Sequence, residues 1–171
     1  MKRKLGLLLL VLVLIASSLA GCSQPKETGG GSEDGASEDV IKIGVFEPMT
    51  GANAAGGEMT VEGIELANET KGEVLGKKVE LVIVDNKSDK VESANAVSRL
   101  IEKDEVVAII GSYGSSLSMA AGDIVKKAEV PAVGCSPTNP LVTLNNDYYF
   151  RVCFIDPFQG TVMANYAFND L

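Results

Sequence analysis

Short apolar runs alternate with segments of helical periodicity from residue 40 to the end of the chain. The apolar runs predict strands at residues 40–46, 78–84, 106–110, 130–133 and 148–152. The segments between them predict helices at residues 59–70, from residue 89, from residue 115 or 116 to residue 128, and from residue 159 onward. Apolar strands that alternate with amphipathic helices form βαβ units, so the pattern predicts an α/β fold with a doubly wound, mostly parallel sheet.

Two details of this pattern carry further expectations. Asp89, followed three residues later by Glu92, has the spacing of a capping box and predicts a helix start at that point. The run at residues 106–110 is apolar at every position, so we expect this strand to be buried on both faces of the sheet.

The first residues follow a different pattern. A basic start precedes an apolar stretch at residues 5–15, and small residues follow it, which is typical of an export signal. The apolar stretch is too short to be interpreted as a membrane-spanning helix. The sequence Leu-Ala-Gly-Cys at residues 19–22 resembles the lipobox of bacterial lipoproteins, which implies cleavage before Cys22 and lipidation of Cys22. The alternative is an ordinary cleaved signal in which Cys22 occurs by chance.

The chain therefore divides into three predicted segments. Residues 1–21 are expected to be a lipoprotein signal peptide, and residues 22–39 the lipidated cysteine with a flexible linker too polar to fold. Residues 40–171 form the predicted folded domain. The chain ends inside a predicted helix without a glycine cap, so we expect a truncated domain, with a short frayed helix as the alternative.

Composition narrows the function classes. The net charge is -8 and no basic cluster occurs outside the signal, which argues against a nucleic-acid partner. The chain has no histidine, so it lacks the commonest general base and metal ligand, and we expect no metal and no cofactor. Cys135 and Cys153 could pair in an oxidising compartment, but we favour two half-buried free thiols.

Candidate chemistry lies in the loops that follow the strands, because ligands of open α/β sheets bind beyond the carboxyl ends of the strands. Gly114, Ser115 and Ser116 precede or open a helix whose first N–H groups suit a carboxylate. Ser136 and Thr138, one strand over, could complete a cradle for the α-carboxylate and α-amino groups of an amino acid. The structural alternative is that Ser115 or Ser116 is only an N-cap and Thr138 only a turn residue.

Enzyme motifs are not found. The glycines at 111 and 114 lack the lysine of a phosphate-binding loop, and no nucleophile elbow occurs. Asp85 and Asp89 are interpreted as a loop acid and a helix cap rather than as an acid/base pair. We therefore expect no enzymatic activity.

Several segments in a fixed order carry a family resemblance. They are residues 41–45 with 49–51, residues 63–67, residues 109–111 leading into 115–116, residues 136–140, and Arg151 with Asp156, Gln159 and Gly160. In this ordered set the chain resembles the solute-binding proteins of branched-chain amino acid ABC transporters, which have the type I periplasmic-binding fold of two hinged lobes. The resemblance implies that the chain contains most of lobe one and that lobe two is absent.

The resemblance also implies roles for single residues. Ser115 would bind the ligand carboxylate, and Ser136 and Thr138 would hold the carboxylate and the ammonium group. Gly56 stands where some members have an aromatic side chain, so we expect a wider side-chain pocket. A disulfide known in some members has no counterpart, because Gly114 stands at one of its positions.

These observations predict the N-terminal part of a lipid-anchored, extracytoplasmic solute receptor. Its partners would be an amino acid or a related small polar solute, an ABC permease and the membrane that holds the lipid anchor. Two alternatives remain open: a ligand-sensing receptor domain of the same fold, and an extracytoplasmic α/β enzyme, which the missing nucleophile–base pair disfavours.

Overall fold

The computed structural model describes residues 40–171. The predicted signal peptide 1–21, the lipidation site Cys22 and the linker 22–39 lie outside the described residues. The strands are β1 (Ile41–Glu47), β2 (Glu73–Val74), β3 (Lys77–Asp85), β4 (Ala108–Gly111), β5 (Ala132–Gly134) and β6 (Tyr149–Arg151). The helices are α1 (Ala54–Lys71), α2 (Lys90–Glu102), α3 (Ser115–Ala128), α4 (Asp156–Asn169) and a 3-10 turn at Pro140–Val142.

The six strands form one mixed sheet in the order β2-β3-β1-β4-β5-β6. Only β2 is antiparallel to its neighbour, and the other strands are parallel. The chain runs from β1 outward to β3 and then crosses back to place β4 on the other side of β1. This reversal puts the topological switch point, where doubly wound sheets bind ligands, between the carboxyl ends of β1 and β4. The predicted fold class is confirmed.

One hydrophobic core lies between the sheet and the helices α2 and α3. Its fully or nearly fully buried members are Phe46, Ala96, Val97, Leu100, Val106, Ile109, Ala121, Val125, Ala132, Val142 and Tyr149. Successive side chains of a strand point to opposite faces, so Val45, also fully buried, lies on the α1 side of the sheet. The core therefore anchors β1 and β4 firmly on both sides of the switch point.

Apolar surface remains uncovered on the α1 side of the sheet within residues 40–171. A groove of about 970 Å³ runs between α1 and the sheet, lined by residues that include Ile43, Leu66, Leu81 and Val133. The helix α4 buries none of its residues. Across the described part of the chain, no helix combines the length and the apolar character needed to cross a bilayer.

Two elements differ from the predicted pattern. The helix α1 begins at Ala54 rather than at residue 59, because packing of its first turn overrides the low helix propensity of Gly56 and Gly57. The two-residue strand β2 was not predicted. It pairs with β3 across a tight turn in which Leu75 and Gly76 have φ of 54° and 76°, and two residues are too few to show a period.

The prediction that the third strand is buried on both faces of the sheet is wrong. The strand β4 starts at Ala108, and Val107 is 60% exposed although Val106 is buried. The Val107 N–H donates to the carbonyl of Lys42 at 3.0 Å, which ties the entry of β4 to β1 while the side chain stays at the surface. Continuous apolar character therefore overstated the buried length of this strand.

The predicted start of the second helix is confirmed. The Asp89 carboxylate accepts hydrogen bonds from the N–H groups of Val91 at 2.7 Å and Glu92 at 3.0 Å, as an N-cap does. The Glu92 side chain pairs with Lys87 Nζ at 3.4 Å. The cap is therefore made by the aspartate, and Glu92 contributes a surface ion pair.

Candidate functional site

The loop that leaves β4 begins the site at the switch point. The helix α3 starts at Ser115, and its N-cap is Gly114, whose φ of 96° favours glycine. Because Gly114 takes the cap position, neither Ser115 nor Ser116 is the N-cap, and that structural alternative is wrong. The Ser115 hydroxyl is left at the first turn of α3, where N–H groups and the helix dipole favour a negative charge.

Ser115 also joins the two candidate loops. Its Oγ accepts a hydrogen bond from the N–H of Asn139 at 3.2 Å, which ties the start of α3 to the loop that follows β5. Ser136 and Thr138 are half-buried in that second loop, and Ser116 is exposed beside Ser115. The structure therefore brings the predicted site residues to one edge of the sheet.

The other polar atoms of the second loop differ in whether they already have a hydrogen-bond partner. The carbonyl of Thr138 accepts the N–H of Asp156 at 3.0 Å, so this carbonyl already holds the start of α4. The hydroxyl oxygen of Ser136 is buried and has no hydrogen-bond partner among residues 40–171. Buried polar atoms without partners are rare. Ser136 is therefore a stronger candidate for a role in binding than its position in the sequence alone suggested.

Arg151 fixes the shape of this second loop. Its guanidinium donates to the carbonyls of Pro137 at 2.6 Å, Asn139 at 2.9 Å and Pro140 at 3.2 Å, and to Thr143 Oγ1 at 2.8 Å. A guanidinium carries five donors in a rigid plane, so one side chain can hold several carbonyls at once. Sequence reasoning placed Arg151 in the family resemblance but did not find this role.

A buried polar cluster supports the first loop from below; it consists of Glu47, Asn86, Ser112, Ser118 and Tyr149. The Asn86 amide donates to Ser112 Oγ at 2.8 Å, and Ser118 Oγ bonds both the N–H and the carbonyl of Ser112, at 3.1 Å and 3.0 Å. The Tyr149 hydroxyl donates to the carbonyl at residue 111. The cluster therefore holds the backbone directly before the α3 start.

Glu47 is the charged member of this cluster. Its side chain is fully buried at the end of β1, and Oε2 accepts the N–H of Tyr113 at 2.6 Å. Its other oxygen, Oε1, is buried without a partner in the described part of the chain. Burial raises the pKa of Glu47 from 4.5 to about 7, against the bond from Tyr113, which lowers it. Sequence reasoning missed Glu47 because nothing local distinguishes it from a solvated strand-end carboxylate.

Asp85 anchors the loop after β1. Its carboxylate accepts from the N–H of Met49 at 2.9 Å, the hydroxyl of Thr50 at 2.6 Å and the N–H of Lys87 at 2.7 Å. Burial by itself raises the pKa of Asp85, but the hydrogen bonds from Thr50, Lys87 and Met49 outweigh it and hold the pKa below its usual value. The interpretation of Asp85 as a loop acid and Asp89 as a helix cap is confirmed.

The expected widening of the pocket at Gly56 is wrong. The ring of Tyr113 lies against Gly56, so closely that a Cβ there would overlap it. An aromatic ring from the loop after β4 therefore fills the space left by the missing side chain after β1. Tyr113 is 37% exposed, so the contact with Gly56 covers only part of this residue.

The two cysteines of this region are free and half-buried, as we favoured. Burial is the main cause that raises the pKa of the Cys135 thiol, followed by the charges of Glu47 and Cys153. Within residues 40–171, no three side chains of the metal-ligating types lie together. The polar groups at the switch point are hydroxyls, amides and helix N–H groups, a set that can bind a small anion or zwitterion.

An open, mostly parallel sheet with polar loops at its switch point defines the class of this protein as a ligand-binding lobe of a doubly wound fold. The model of one such family, described as periplasmic binding protein, matches residues 40–171. The chain belongs to this family. Its members bind solutes outside the cytoplasmic membrane, so an extracytoplasmic location follows from the family.

Three similar proteins illustrate the match. An amino acid binding protein of Pseudomonas aeruginosa is 33% identical over 165 residues, which cover 94% of this chain and 41% of the relative. The leucine binding protein LivK from Thermotoga maritima, known from a crystal structure, is 50% identical in sequence and has a TM-score of 0.73. The match covers 77% of this chain and 37% of LivK. LivJ from Streptococcus pneumoniae, solved with isoleucine, is 34% identical and has a TM-score of 0.72. The match covers 77% of this chain and 38% of LivJ.

These proteins are solute-binding proteins rather than enzymes, which agrees with the expectation of no enzymatic activity. The chain spans 41% of the Pseudomonas relative and less than two fifths of the two solved structures. It corresponds to one lobe of a type I periplasmic binding protein.

Proposed function

We propose that this chain is the N-terminal lobe of the solute-binding component of an ABC importer. Its solutes would be branched-chain or related amino acids, held by the α-carboxylate and the α-amino group. The observation that carries the proposal is the position of Ser115. Its hydroxyl lies on the first turn of α3 at the switch point and is tied to the loop that contains Ser136 and Thr138.

The chemistry of this edge suits a zwitterion better than a reaction. The α3 N-terminus favours the carboxylate, with hydrogen bonds from the Ser115 hydroxyl and from helix N–H groups near Gly114 and Ser116. Ser136 and Thr138 supply further hydroxyls. The relatives solved or named for leucine, isoleucine and amino acids support this class of solute.

In the proposed mechanism the solute first binds to this lobe, and contacts with a second lobe then drive hinge closure. The closed form delivers the solute to a permease in the membrane, and no bond is made or broken. The proposal includes a lipid anchor at Cys22. Residues 40–171 alone are expected to bind weakly, because they supply only one wall of the cleft.

Calorimetric titration of the full-length protein with leucine, isoleucine and valine tests this proposal. Ser115→Ala removes a hydrogen bond to a charged group, worth about 1.5–3 kcal/mol, so the dissociation constant should rise roughly ten- to hundredfold. Ser98→Ala on α2 is the matched control and should bind like the wild type. Binding of none of these amino acids by the wild type, or unchanged binding by Ser115→Ala, would contradict the proposal.

A further inference from the structure

Glu47 occupies an unfavourable place for a carboxylate. It is fully buried, one oxygen accepts a single N–H, and the other has no partner among residues 40–171. A buried polar group without a full set of hydrogen bonds destabilises the folded state. An apolar side chain would avoid this penalty. The contact that Glu47 makes with the N–H of Tyr113 therefore indicates its role.

That contact holds the loop that opens the site. Tyr113 directly precedes Gly114, the N-cap of α3, and Ser115 follows it. The other members of the buried polar cluster hold residues 111 and 112 through neutral groups. The Tyr113 backbone has two such contacts: Ser112 Oγ donates to its carbonyl at 3.2 Å, and the Glu47 carboxylate, across the switch point on β1, accepts its N–H. When Glu47 is ionised this hydrogen bond is charge-assisted, and such bonds are about twice as strong as neutral ones.

We propose that Glu47 is a positioning residue whose ionised carboxylate fixes the backbone of Tyr113, and through it the turn that presents Ser115 to the solute. The identity of the solute rests on the proposed function, whereas the hold of Glu47 on the loop does not. Solute binding is therefore tighter when Glu47 is ionised than when it is protonated.

Among the titratable groups that face one another here, Glu47 is the one whose protonation changes near neutral pH. Cys135, beyond β5, and Tyr149, on β6, both have a raised pKa and are neutral there. Asp85, the register partner of Glu47 at the end of β3, has a lowered pKa and is ionised. The phenol of Tyr113 packs on α1. The pKa of Glu47 lies at about 7, so affinity should rise as the pH increases through this value.

Ionisation of Glu47 has two separate effects, one on solute binding and one on the stability of the fold. The effect on the fold has the opposite sign, since ionising a buried carboxylate destabilises the native state. Rising pH should therefore weaken the fold and tighten binding. A residue that served only the stability of the fold would move the two quantities in the same direction.

The test compares the full-length wild type with Glu47→Gln and with Glu80→Gln, a matched control at an exposed position of β3. Calorimetry with L-leucine at pH 5.5 and pH 8.5 gives the affinities, and the Tyr113 amide resonance in ¹H–¹⁵N spectra reports the hydrogen bond without any solute. In the wild type and in Glu80→Gln, affinity should rise about fivefold between the two pH values, and the amide should titrate near pH 7. In Glu47→Gln both changes should disappear, and affinity at pH 8.5 should be about fivefold weaker.

Two results would overturn the inference: a Tyr113 amide that does not titrate in the wild type, or the wild-type pH profile of affinity in Glu47→Gln. If the wild type does not bind leucine, the proposed solute is wrong, and the Tyr113 amide then decides the role of Glu47 alone. Titration of that amide in the wild type and its loss in Glu47→Gln would still support the hold on the loop.

Discussion

Replacing Glu47 by glutamine should change how the stability of the protein depends on pH. In the native state burial raises the pKa of Glu47 from 4.5 to about 7. Between these values the native state binds more protons than the unfolded state, so stability falls as pH rises through the window. The contribution of protonated Glu47 to stability is fully present below pH 4.5 and is lost above pH 7. A difference of about 2.5 pKa units corresponds to about 3 kcal/mol.

The absolute stability of Glu47→Gln is a poor measure of this effect, because the buried amide N–H₂ would itself lack acceptors, at about 1–3 kcal/mol. The difference between pH 8 and pH 5 cancels that constant contribution. Urea unfolding at both pH values, for wild type and variant, should therefore give a double difference of about 2.5 kcal/mol, because a small part of the change already takes place between pH 4.5 and pH 5. Glu80→Gln should give a double difference near zero. A value within error of zero for Glu47→Gln would refute the reasoning that burial destabilises the charged form.

Three further changes have defined expectations. Gly56→Ala should destabilise the full-length protein by about 1–3 kcal/mol in urea unfolding, because the new methyl group overlaps the Tyr113 ring. The control is Gly122→Ala, where the structure has room for a methyl group and no loss of stability is expected. Equal losses in the two variants would contradict the packing argument. Arg151→Lys should lower the melting temperature by several degrees, because an ammonium group cannot hold the same carbonyls, and an unchanged melting temperature would exclude the clamp. Cys22→Ser should abolish incorporation of an alkyne-labelled fatty acid into the protein, and labelling equal to that of the wild type would argue against lipidation of Cys22.

Much of the architecture could be predicted from the chain alone. Alternation of apolar runs and helical periods placed β1, β3 and α3 within one or two residues of their observed bounds, because these elements are long enough to show a period. The rule that ligands bind beyond the carboxyl ends of parallel strands then brought Ser115 and Thr138 to the same edge of the sheet. The sequence by itself thus determined the fold class and the location of the candidate site.

The tertiary structure alone decided how that site is built. The bond from Tyr113 to Glu47 joins residues 66 positions apart, and the ring of Tyr113 fills the space at Gly56 only because α1 and the loop after β4 meet at the switch point. The burial of Glu47, and with it the raised pKa, exists only once the strands and helices have packed. Propensity and periodicity depend on near neighbours in the chain, whereas burial and long-range hydrogen bonds depend on which distant segments share one place in space.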